Sequence, residues 1–590
     1  MGKVTDMGLL ILLGCLWAAV LELNKNTLWG WLLTAAALVG FYFFRRELLQ
    51  GRAWYVRFFA WAALIAALAG VLVLTQGPYK ARPAVKEQGG VTDVVTVADG
   101  QLRGAVTADG AVEVFTGIPY AMPPVGELRW REPQDPDKWE GVLECDRFAP
   151  MSMQVRNPEI VNSLVGIIGY HDYTVSLRDS FRDPVSEDSL YLNIWKPAGD
   201  VSGLPVMVYV HGGSLMTGQP WYADYSGEGL ARKGAVVVNM GYRLGVFGFL
   251  ADPELAAESP DGTTGNYGLL DQIKALEWVR DNIAAFGGDP GNVTLAGESA
   301  GSVCVTALCT SPLARGLFRR VIAESSTATA AEPAHSFRTA EDGYKAAARL
   351  KERFGAGSIR ELREVSARDL VSAADDNHHI TVDGYVLPRS PYESYRLGEH
   401  NAEAILHGFN ETEGALFIIM DNANMKNYAE KVESYFGDHA ARVLALYPAE
   451  TDAEARARWE EIYSVIFFSY GHHCLTRQGL SNGIPVYEYY FTKHNGRLGA
   501  NHGGEEVYFY NNIPAGSRHY DESDEALAAV MSGYFMNYLT CGDPNGTGLP
   551  LWAPVKEPGE LLELGTEIAP RQEKNRELYG ILDEMTGWED

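Results

Sequence analysis

The strongest chemical signal in the sequence is a serine flanked by glycines. Residues 297–301 read Gly-Glu-Ser-Ala-Gly, with Ser299 at the centre. The apolar run Val293–Ala296 precedes them, and small and apolar residues follow from Ser302 to Cys309. This order predicts a strand, a sharp turn and a helix, and the two glycines allow the turn and a close approach of strand and helix. Such a turn exposes its serine for attack on a carbonyl carbon, so Ser299 is the candidate nucleophile.

A nucleophilic serine needs three further groups. A general base takes the hydroxyl proton, an acid orients the base, and hydrogen-bond donors stabilise the oxyanion. In α/β-hydrolases the acid and then the histidine follow the serine along the chain. The donors precede it, and here the strand-like run Val206–Val210 leads into the glycine loop of residues 211–214. Ser214 stands where a third glycine is usual. A serine can replace that glycine if its backbone adopts the same conformation, because the hydrogen-bond donors are backbone amides.

The surrounding elements predict an α/β fold. Continuous apolar or β-branched runs at Val206–Val210, Val236–Asn239, Val293–Ala296 and Ala404–Leu406 are typical of strands buried on both faces. Helical patterns such as Leu269–Ala285 lie between them. Alternating strands and helices indicate a mostly parallel sheet covered by helices.

Longer stretches narrow the choice of family. They are Gly117–Gly126 (GIPYAMPPVG), Ser186–Trp195 (SEDSLYLNIW), Gly241–Leu250 (GYRLGVFGFL), Gly265–Ser302 (GNYGLLDQIKALEWVRDNIAAFGGDPGNVTLAGESAGS) and Val382–Pro388 (VDGYVLP). In this order they resemble type-B carboxylesterases, the family of cholinesterases and bacterial para-nitrobenzyl esterases. The resemblance runs from about Val91 to the carboxyl end. It implies an α/β-hydrolase fold with a large, mostly parallel central sheet, and hydrolysis of small-molecule carboxylic esters through an acyl-enzyme, with no metal and no organic cofactor.

The resemblance also identifies a catalytic acid and base. The family's acid begins an E-G-x-x-F segment, which here starts at Glu413, and its histidine begins an H-G-x-E segment, which here starts at His502. The nearest alternatives are Glu411 and His494, which stand outside these segments. We therefore expect a catalytic triad of Ser299, Glu413 and His502.

Supporting roles follow from the same resemblance. The family's oxyanion donors match the backbone amides of Gly213, Ser214 and Ala300. Glu298, beside the nucleophile, and Ser325, in an A-E-S-S run, match positions that steady the acid and the base. The alternative for these last two is that they are ordinary buried polar residues.

Two departures from the family pattern concern crosslinking. The family commonly joins two cysteines at the positions of Ser152 and Ser189, so we expect that this chain does without that disulfide.

The family's structural ion pair is retained as Arg129 and Glu187. The tandem histidines 378–379 and 472–473 lack metal-ligand spacing and are expected in loops or at the surface.

Two positions bear on the choice of substrate. Leu215 and Leu416 stand where cholinesterases place aromatic residues, which argues against a choline-type substrate. A non-catalytic adhesion or binding protein of the same fold is the alternative function. That branch of the family loses the nucleophile, whereas Ser299, Glu413 and His502 are all present here.

The first 75 residues are more apolar than the rest of the chain. Three apolar stretches, Gly8–Leu23, Leu28–Phe44 and Phe58–Thr75, contain about 16–18 residues each, near the length that crosses a bilayer as a helix. We predict three transmembrane helices over residues 1–75, a tether over 76–90 and a carboxylesterase domain over 91–590. The alternatives are a signal peptide followed by core helices, a lipoprotein processing site at Cys15, and a fragment of a sensor or transporter.

Charge indicates both orientation and partners. Residues 1–90 hold 9 Lys and Arg and 4 Asp and Glu, which leaves 40 basic and 72 acidic residues for 91–590. So acidic a domain is unsuited to nucleic acid or to anionic lipid. The loop with Arg45, Arg46, Arg52 and Arg57 should stay cytoplasmic, because basic loops are retained there. Three crossings then place the catalytic domain on the extracytoplasmic side of the cell membrane.

Overall fold

The described chain divides into two compact units. A computed structural model describes residues 2–165, 167, 181–331, 337–373, 376–494, 496, 498–517 and 519–588. The first unit comprises Met1–Arg82 and Arg156–Pro184, and the second comprises Pro83–Val155 and Val185–Asp590. The first unit therefore contains the apolar amino-terminal segment together with a stretch from the interior of the predicted esterase domain.

The apolar stretches of the first unit form helices. Its described helices are α1 (Gly2–Leu23), α2 (Leu28–Leu48), α3 (Trp54–Leu74) and α4 (Glu159–Val165). Helices α2 and α3 are long and apolar enough to cross a membrane, whereas the apolar part of α1, Met7–Leu23, is shorter. Only 17% and 11% of the most apolar windows of α2 and α3 are buried, which is unlike the core helices of a soluble protein. The two helices could therefore serve as a signal or as a membrane anchor.

Side-chain contacts hold the interior stretch within the first unit. Helix α4 packs against α1, and Ser163 Oγ donates a hydrogen bond to Leu23 O at 2.8 Å. Arg182 Nε donates to Gly77 O at 2.8 Å, and its guanidinium lies 4.2 Å from the centre of the Tyr79 ring. The predicted tether therefore begins with residues that are held by hydrogen bonds.

The second unit is built on a large sheet. The described strands are β1 (Gln88–Val91), β2 (Val95–Val97), β3 (Gly100–Arg103), β4 (Ala105–Thr107), β5 (Val112–Pro119), β6 (Val142–Glu144), β7 (Met151–Ser152), β8 (Val185–Ser186), β9 (Tyr191–Pro197), β10 (Leu204–Val210), β11 (Val236–Met240), β12 (Gly288–Glu298), β13 (Arg320–Glu324), β14 (Phe337–Thr339), β15 (Ile380–Val382), β16 (Ala404–Asn410), β17 (Val486–Phe491), β18 (Glu560–Leu564) and β19 (Ile568–Gln572). Within the described residues, twelve of them form one sheet in the order β1-β4-β5-β9-β11-β10-β12-β13-β16-β17-β18-β19. The run from β11 to β18 is parallel, and antiparallel strands close both edges.

The second unit also contains helices, several of which pack against this sheet. The described helices are α5 (Glu228–Ala231), α6 (Gly245–Phe249), α7 (Pro253–Glu258), α8 (Tyr267–Asn282), α9 (Ala300–Leu308), α10 (Ala340–Phe354), α11 (Ile359–Arg363), α12 (Ala367–Ala373), α13 (Pro391–Arg396), α14 (Tyr428–Phe436), α15 (Ala440–Leu446), α16 (Asp452–Ser464), α17 (Tyr470–Ser481), α18 (Glu506–Phe509), α19 (Glu522–Cys541) and α20 (Arg576–Thr586). Successive residues of β10 explain why its sequence is apolar throughout. Val206 and Val208 pack into one core cluster, whereas Met207 and Tyr209 pack into another on the opposite face.

The predicted strands and the predicted α/β class are confirmed, but one local prediction is wrong. His472 is fully buried on α17 instead of lying in a loop or at the surface. Its ring stacks on that of His407 from β16, and their Nδ1 atoms are 3.0 Å apart. A pair of histidines so far apart in sequence is brought together only by the packing of α17 on the sheet.

Candidate active site

Ser299 occupies a strained turn between β12 and α9. Its backbone has φ 55° and ψ −125°, a conformation that costs a non-glycine residue about 1–3 kcal/mol and persists only where the surroundings hold it. The flanking glycines are needed for space. A Cβ at Gly297 would lie 2.6 Å from the carbonyl carbon of Gly301, and a Cβ at Gly301 would overlap the carbonyl of Val210. The turn predicted from the G-x-S-x-G pattern is therefore present.

The other candidate residues follow the carboxyl ends of parallel strands. The glycine loop follows β10, Ser325 follows β13, Glu413 lies just after β16, and His502 comes after β17. Because these strands are parallel, their carboxyl ends share the edge of the sheet at which β12 delivers Ser299. The sheet thus brings together residues that lie up to about 290 positions apart.

Glu413 and His502 are in direct contact. His502 Nδ1 lies 2.6 Å from Glu413 Oε2, and the second carboxylate oxygen accepts a hydrogen bond from the Asn410 amide at 2.8 Å. Glu413 is fully buried, and His502 is 6% exposed. Both oxygens of the acid are therefore held, which fixes the orientation of the imidazole.

The two rejected candidates pair with each other. His494 Nε2 lies 2.5 Å from Glu411 Oε2, in a contact whose histidine side chain is 59% exposed. This pair is separate from the buried pair of Glu413 and His502. Its geometry agrees with the choice of Glu413 over Glu411.

The outer nitrogen of His502 faces a second acid. Glu298 Oε1 lies 3.0 Å from His502 Nε2, and both side chains are about nine-tenths buried. Burial lowers the pKa of His502, but the charges of Glu298 and Glu413 outweigh burial and raise this pKa well above its usual value. Within the described residues, no hydrogen bond joins Ser299 Oγ to His502. Catalytic hydrogen bonds often become short only when substrate is bound.

The glycine loop has the backbone that oxyanion donors require. Gly213, Ser214 and Leu215 have φ values of 108°, 56° and 58°. Ser214 thus adopts the positive φ that is expected of a third glycine at this position. In the described part of the chain, the amides of Gly213, Ser214 and Ala300 donate to no protein acceptor. Three unused amides beside a nucleophile are suited to a developing oxyanion.

Ser325 is linked to Glu413 by hydrogen bonds through Glu505 and Asn410. Its Oγ donates to Glu505 Oε1 at 2.8 Å, and Tyr489 OH donates to the same oxygen at 3.2 Å. The Asn410 side chain donates to Glu505 Oε2, while the Asn410 backbone amide holds Glu413. Burial, together with the charges of Glu413 and Glu298, raises the pKa of Glu505 to about 7. Glu505 and Asn410 were not predicted from the sequence, although Glu505 is the last residue of the H-G-x-E segment.

Ser299, the candidate nucleophile, lines a pocket. Its volume is about 240 Å³, and its described lining is Ser214, Leu215, Met216, Ser299, Ala300, Val303, Ser326, His378, Phe417, Tyr463, Phe467 and Phe468. The rings of Phe417 and Phe468 also lie 5.1 and 4.7 Å from that of His502. A π-helical turn, Val465–Ser469, carries two of the four aromatic rings, and such turns often occur at functional sites. No sequence pattern predicted this group of aromatic side chains.

The predicted departures from the family pattern can be located. Ser152 Oγ and Ser189 Oγ are hydrogen-bonded to each other at 3.0 Å, so the two serines are in contact where cysteines would be crosslinked. All six cysteines are free. The predicted ion pair of Arg129 and Glu187 is confirmed, with two hydrogen bonds of 2.6 Å.

The fold and the turn at Ser299 define a class. A serine on a strained strand-to-helix turn at the carboxyl edge of a large, mostly parallel sheet is the arrangement of an α/β-hydrolase. Residues 91–579 match the carboxylesterase family.

Individual relatives agree with this match. The chain is 34% identical over 488 residues to the fumonisin B1 esterase of Sphingopyxis macrogoltabida, covering 78% of this chain and 84% of that protein. It is 31% identical over 515 residues to the para-nitrobenzyl esterase of Bacillus subtilis (strain 168), covering 82% and 98%. It is 30% identical over 534 residues to carboxylesterase 1C of Rattus norvegicus, covering 83% and 93%. The chain belongs to the carboxylesterase family and is a carboxylic-ester hydrolase, which confirms the resemblance.

Proposed function

We propose that the chain hydrolyses esters through an acyl-enzyme formed on Ser299, with His502 as base and Glu413 as its orienting acid. The observation that supports this most directly is the buried 2.6 Å contact between Glu413 Oε2 and His502 Nδ1 at the edge of the sheet that carries Ser299. The Gly213, Ser214 and Ala300 amides would serve as the oxyanion hole, and Glu298 and Ser325 as supporting residues.

The reaction then has two steps. His502 Nε2 takes the Ser299 proton as the oxygen attacks the ester carbonyl, and the imidazolium that forms is stabilised by Glu413. The oxyanion accepts hydrogen bonds from the loop amides, each of which is typically worth about 3–4 kcal/mol to the transition state. His502 next gives its proton to the departing alcohol. Water, activated by the same histidine, releases the acid and restores Ser299.

A fluorophosphonate probe tests this assignment. The wild type should be labelled at Ser299, and Ser299→Ala should lose labelling and lower kcat by about four to six orders of magnitude. Ser326, which also lines the pocket, provides the matched control, because Ser326→Ala should remain labelled at Ser299. Normal turnover by Ser299→Ala would overturn the proposal.

The pocket favours small, uncharged, apolar esters. Within its described lining, four aromatic rings lie beside Leu215, Met216 and Val303, and no Lys, Arg, Asp or Glu is present. Its volume lies below the ~300–1,000 Å³ of pockets that hold drug-sized ligands. Chromogenic esters of increasing acyl length should lose kcat/KM once the chain exceeds the pocket. A preference for anionic over neutral esters of equal length would contradict this substrate class.

The amino-terminal helices suit a multi-pass membrane anchor. We propose that α1, α2 and α3 all insert, with the arginine-rich segment 45–57 in the cytoplasm and the catalytic domain outside it. The full-length protein should then resist extraction from membranes by high salt, because apolar burial does not depend on charge. Protease added to spheroplasts should digest the catalytic domain. Digestion only after the membrane is breached would refute the orientation.

A further inference from the structure

The loop that carries two of the proposed oxyanion donors is under backbone strain. Three consecutive residues, Gly213, Ser214 and Leu215, have positive φ, and two of them are not glycine. Side chains other than glycine rarely adopt this conformation, and such strain persists only where surrounding contacts over-determine it. Some contact must therefore hold the loop in place.

The loop closes on itself at Gly218. Gly213 O accepts hydrogen bonds from Met216 N at 3.0 Å and from Thr217 N at 2.9 Å. The backbone of Gly218 then packs so tightly against Gly212 that a Cβ at Gly218 would overlap the Gly212 carbonyl oxygen. A displacement of Gly218 therefore reaches Gly212, which immediately precedes the first donor.

One side chain satisfies both backbone groups of Gly218. Gln154 Nε2 donates to Gly218 O at 2.8 Å, and Gln154 Oε1 accepts from Gly218 N at 3.1 Å. The same Nε2 also donates to Ser152 O at 3.1 Å. Ser152 is itself buried, and its Oγ donates to Tyr242 O at 2.6 Å. The amide of Gln154 is thus fixed on one side and holds the loop on the other.

We propose that Gln154 is a positioning residue for the oxyanion hole. By clamping Gly218 it keeps the Gly213 and Ser214 amides aimed at the place where negative charge develops. This inference rests on the proposed function. It gives a role to a residue that is not among those described as lining the pocket and whose described hydrogen bonds go to Ser152 and Gly218.

Gln154→Met tests the clamp, because methionine has a similar length and cannot make the two hydrogen bonds. Removing one oxyanion donor typically lowers kcat by about 10²–10³-fold, and a displaced donor should cost less, so we expect a loss of roughly 10- to 100-fold. KM should change by less than about twofold, since no pocket-lining side chain is altered. The inhibition constant of a trifluoromethyl ketone, which forms an oxyanion on the serine, should rise by the same factor as kcat/KM falls.

Two further variants keep the test decisive. Gln154→Glu retains length but sets a carboxylate against Gly218 O, so kcat per titrated active site should also fall. Asn482→Leu is the matched control, because Asn482 Nδ2 donates to Tyr395 O at 2.7 Å and joins α17 to α13. It should lower stability at most and leave kcat unchanged.

The outcomes separate the two proposals. Wild-type kcat and inhibitor affinity in Gln154→Met would overturn the clamp, and so would an equal loss of kcat in Asn482→Leu, which would indicate a general effect of stability. If Ser299→Ala stays active, the proposed function fails instead. If Ser299→Ala is inactive and both Gln154 variants behave as wild type, only the present inference fails.

Discussion

Replacing Glu298 by glutamine should move the pH dependence of catalysis to lower pH. Glu298 Oε1 lies 3.0 Å from His502 Nε2, and Glu413 Oε2 lies 2.6 Å from Nδ1. Burial opposes the charged imidazole, but these two carboxylates hold the pKa of His502 well above its usual value. Only the neutral imidazole accepts a proton from Ser299, so wild-type kcat/KM should still be rising above neutral pH.

The size of the effect follows from the distance. Two unit charges 3.0 Å apart interact by about 5 kcal/mol at an effective dielectric constant of about 20. Glutamine keeps the shape of the side chain and removes the charge, so the protonated form of His502 loses this stabilisation. This energy corresponds to about 4 pKa units, more than the 1–3 units by which a neighbouring opposite charge typically shifts a pKa, so the midpoint of the kcat/KM profile should move down by at least about 1 unit.

The assay is kcat/KM for one neutral ester between pH 5 and 10 at constant ionic strength. Glu411→Gln is the matched control, since Glu411 pairs with the exposed His494 and should not affect the midpoint. Active-site titration with a fluorophosphonate corrects for unfolded protein at each pH. A midpoint that stays in place or moves upward in Glu298→Gln would refute the idea that the Glu298 charge acts on the base.

Three further predictions concern stability. Burial lowers the pKa of His407 to about 3 and lowers the pKa of its neighbour His472 well below its usual value. Both histidines therefore bind protons more readily in the unfolded chain, so the free energy of unfolding falls as the pH falls below ~6.5. Between pH 6.5 and 4.5 urea unfolding should show a loss of about 2–3 kcal/mol from His407 alone, and His407→Asn should show less. Dithiothreitol should leave Tm unchanged because all six cysteines are free, and a drop of several degrees would reveal a disulfide. Deleting residues 1–82 removes the partners of 156–184, so the truncated esterase should aggregate unless a short Gly-Ser linker also replaces 156–184. Equal solubility of the two truncated forms would contradict this reasoning.

Local patterns in the sequence were sufficient for the elements and for the turn that carries Ser299. The apolar run of β10 and the G-x-S-x-G turn depend on residues within a few positions of one another, because backbone sterics and strand periodicity act at that range. Glycine at 297 is required by the close approach of β12 and α9, which are adjacent in sequence, whereas glycine at 301 is required by the carboxyl end of β10, which the sheet places beside α9. Glu413 and His502 could be selected only through the family resemblance, because no local pattern distinguishes them from the many other acidic residues and histidines of the chain.

Contacts between distant residues were decided only by the tertiary structure. The structure distinguishes Glu413 from Glu411 by their partners: Glu413 contacts the buried His502, whereas Glu411 contacts an exposed histidine. The contact of Glu298 with His502, and the clamp of Gln154 on Gly218, likewise depend on which strand ends and loops become neighbours. The periodicity of apolar residues indicates which face of a helix or strand is buried, but it does not indicate which other helix, strand or loop packs against that face. The partner is selected by the packing of the whole sheet and its helices, and that packing sets the charges around the base.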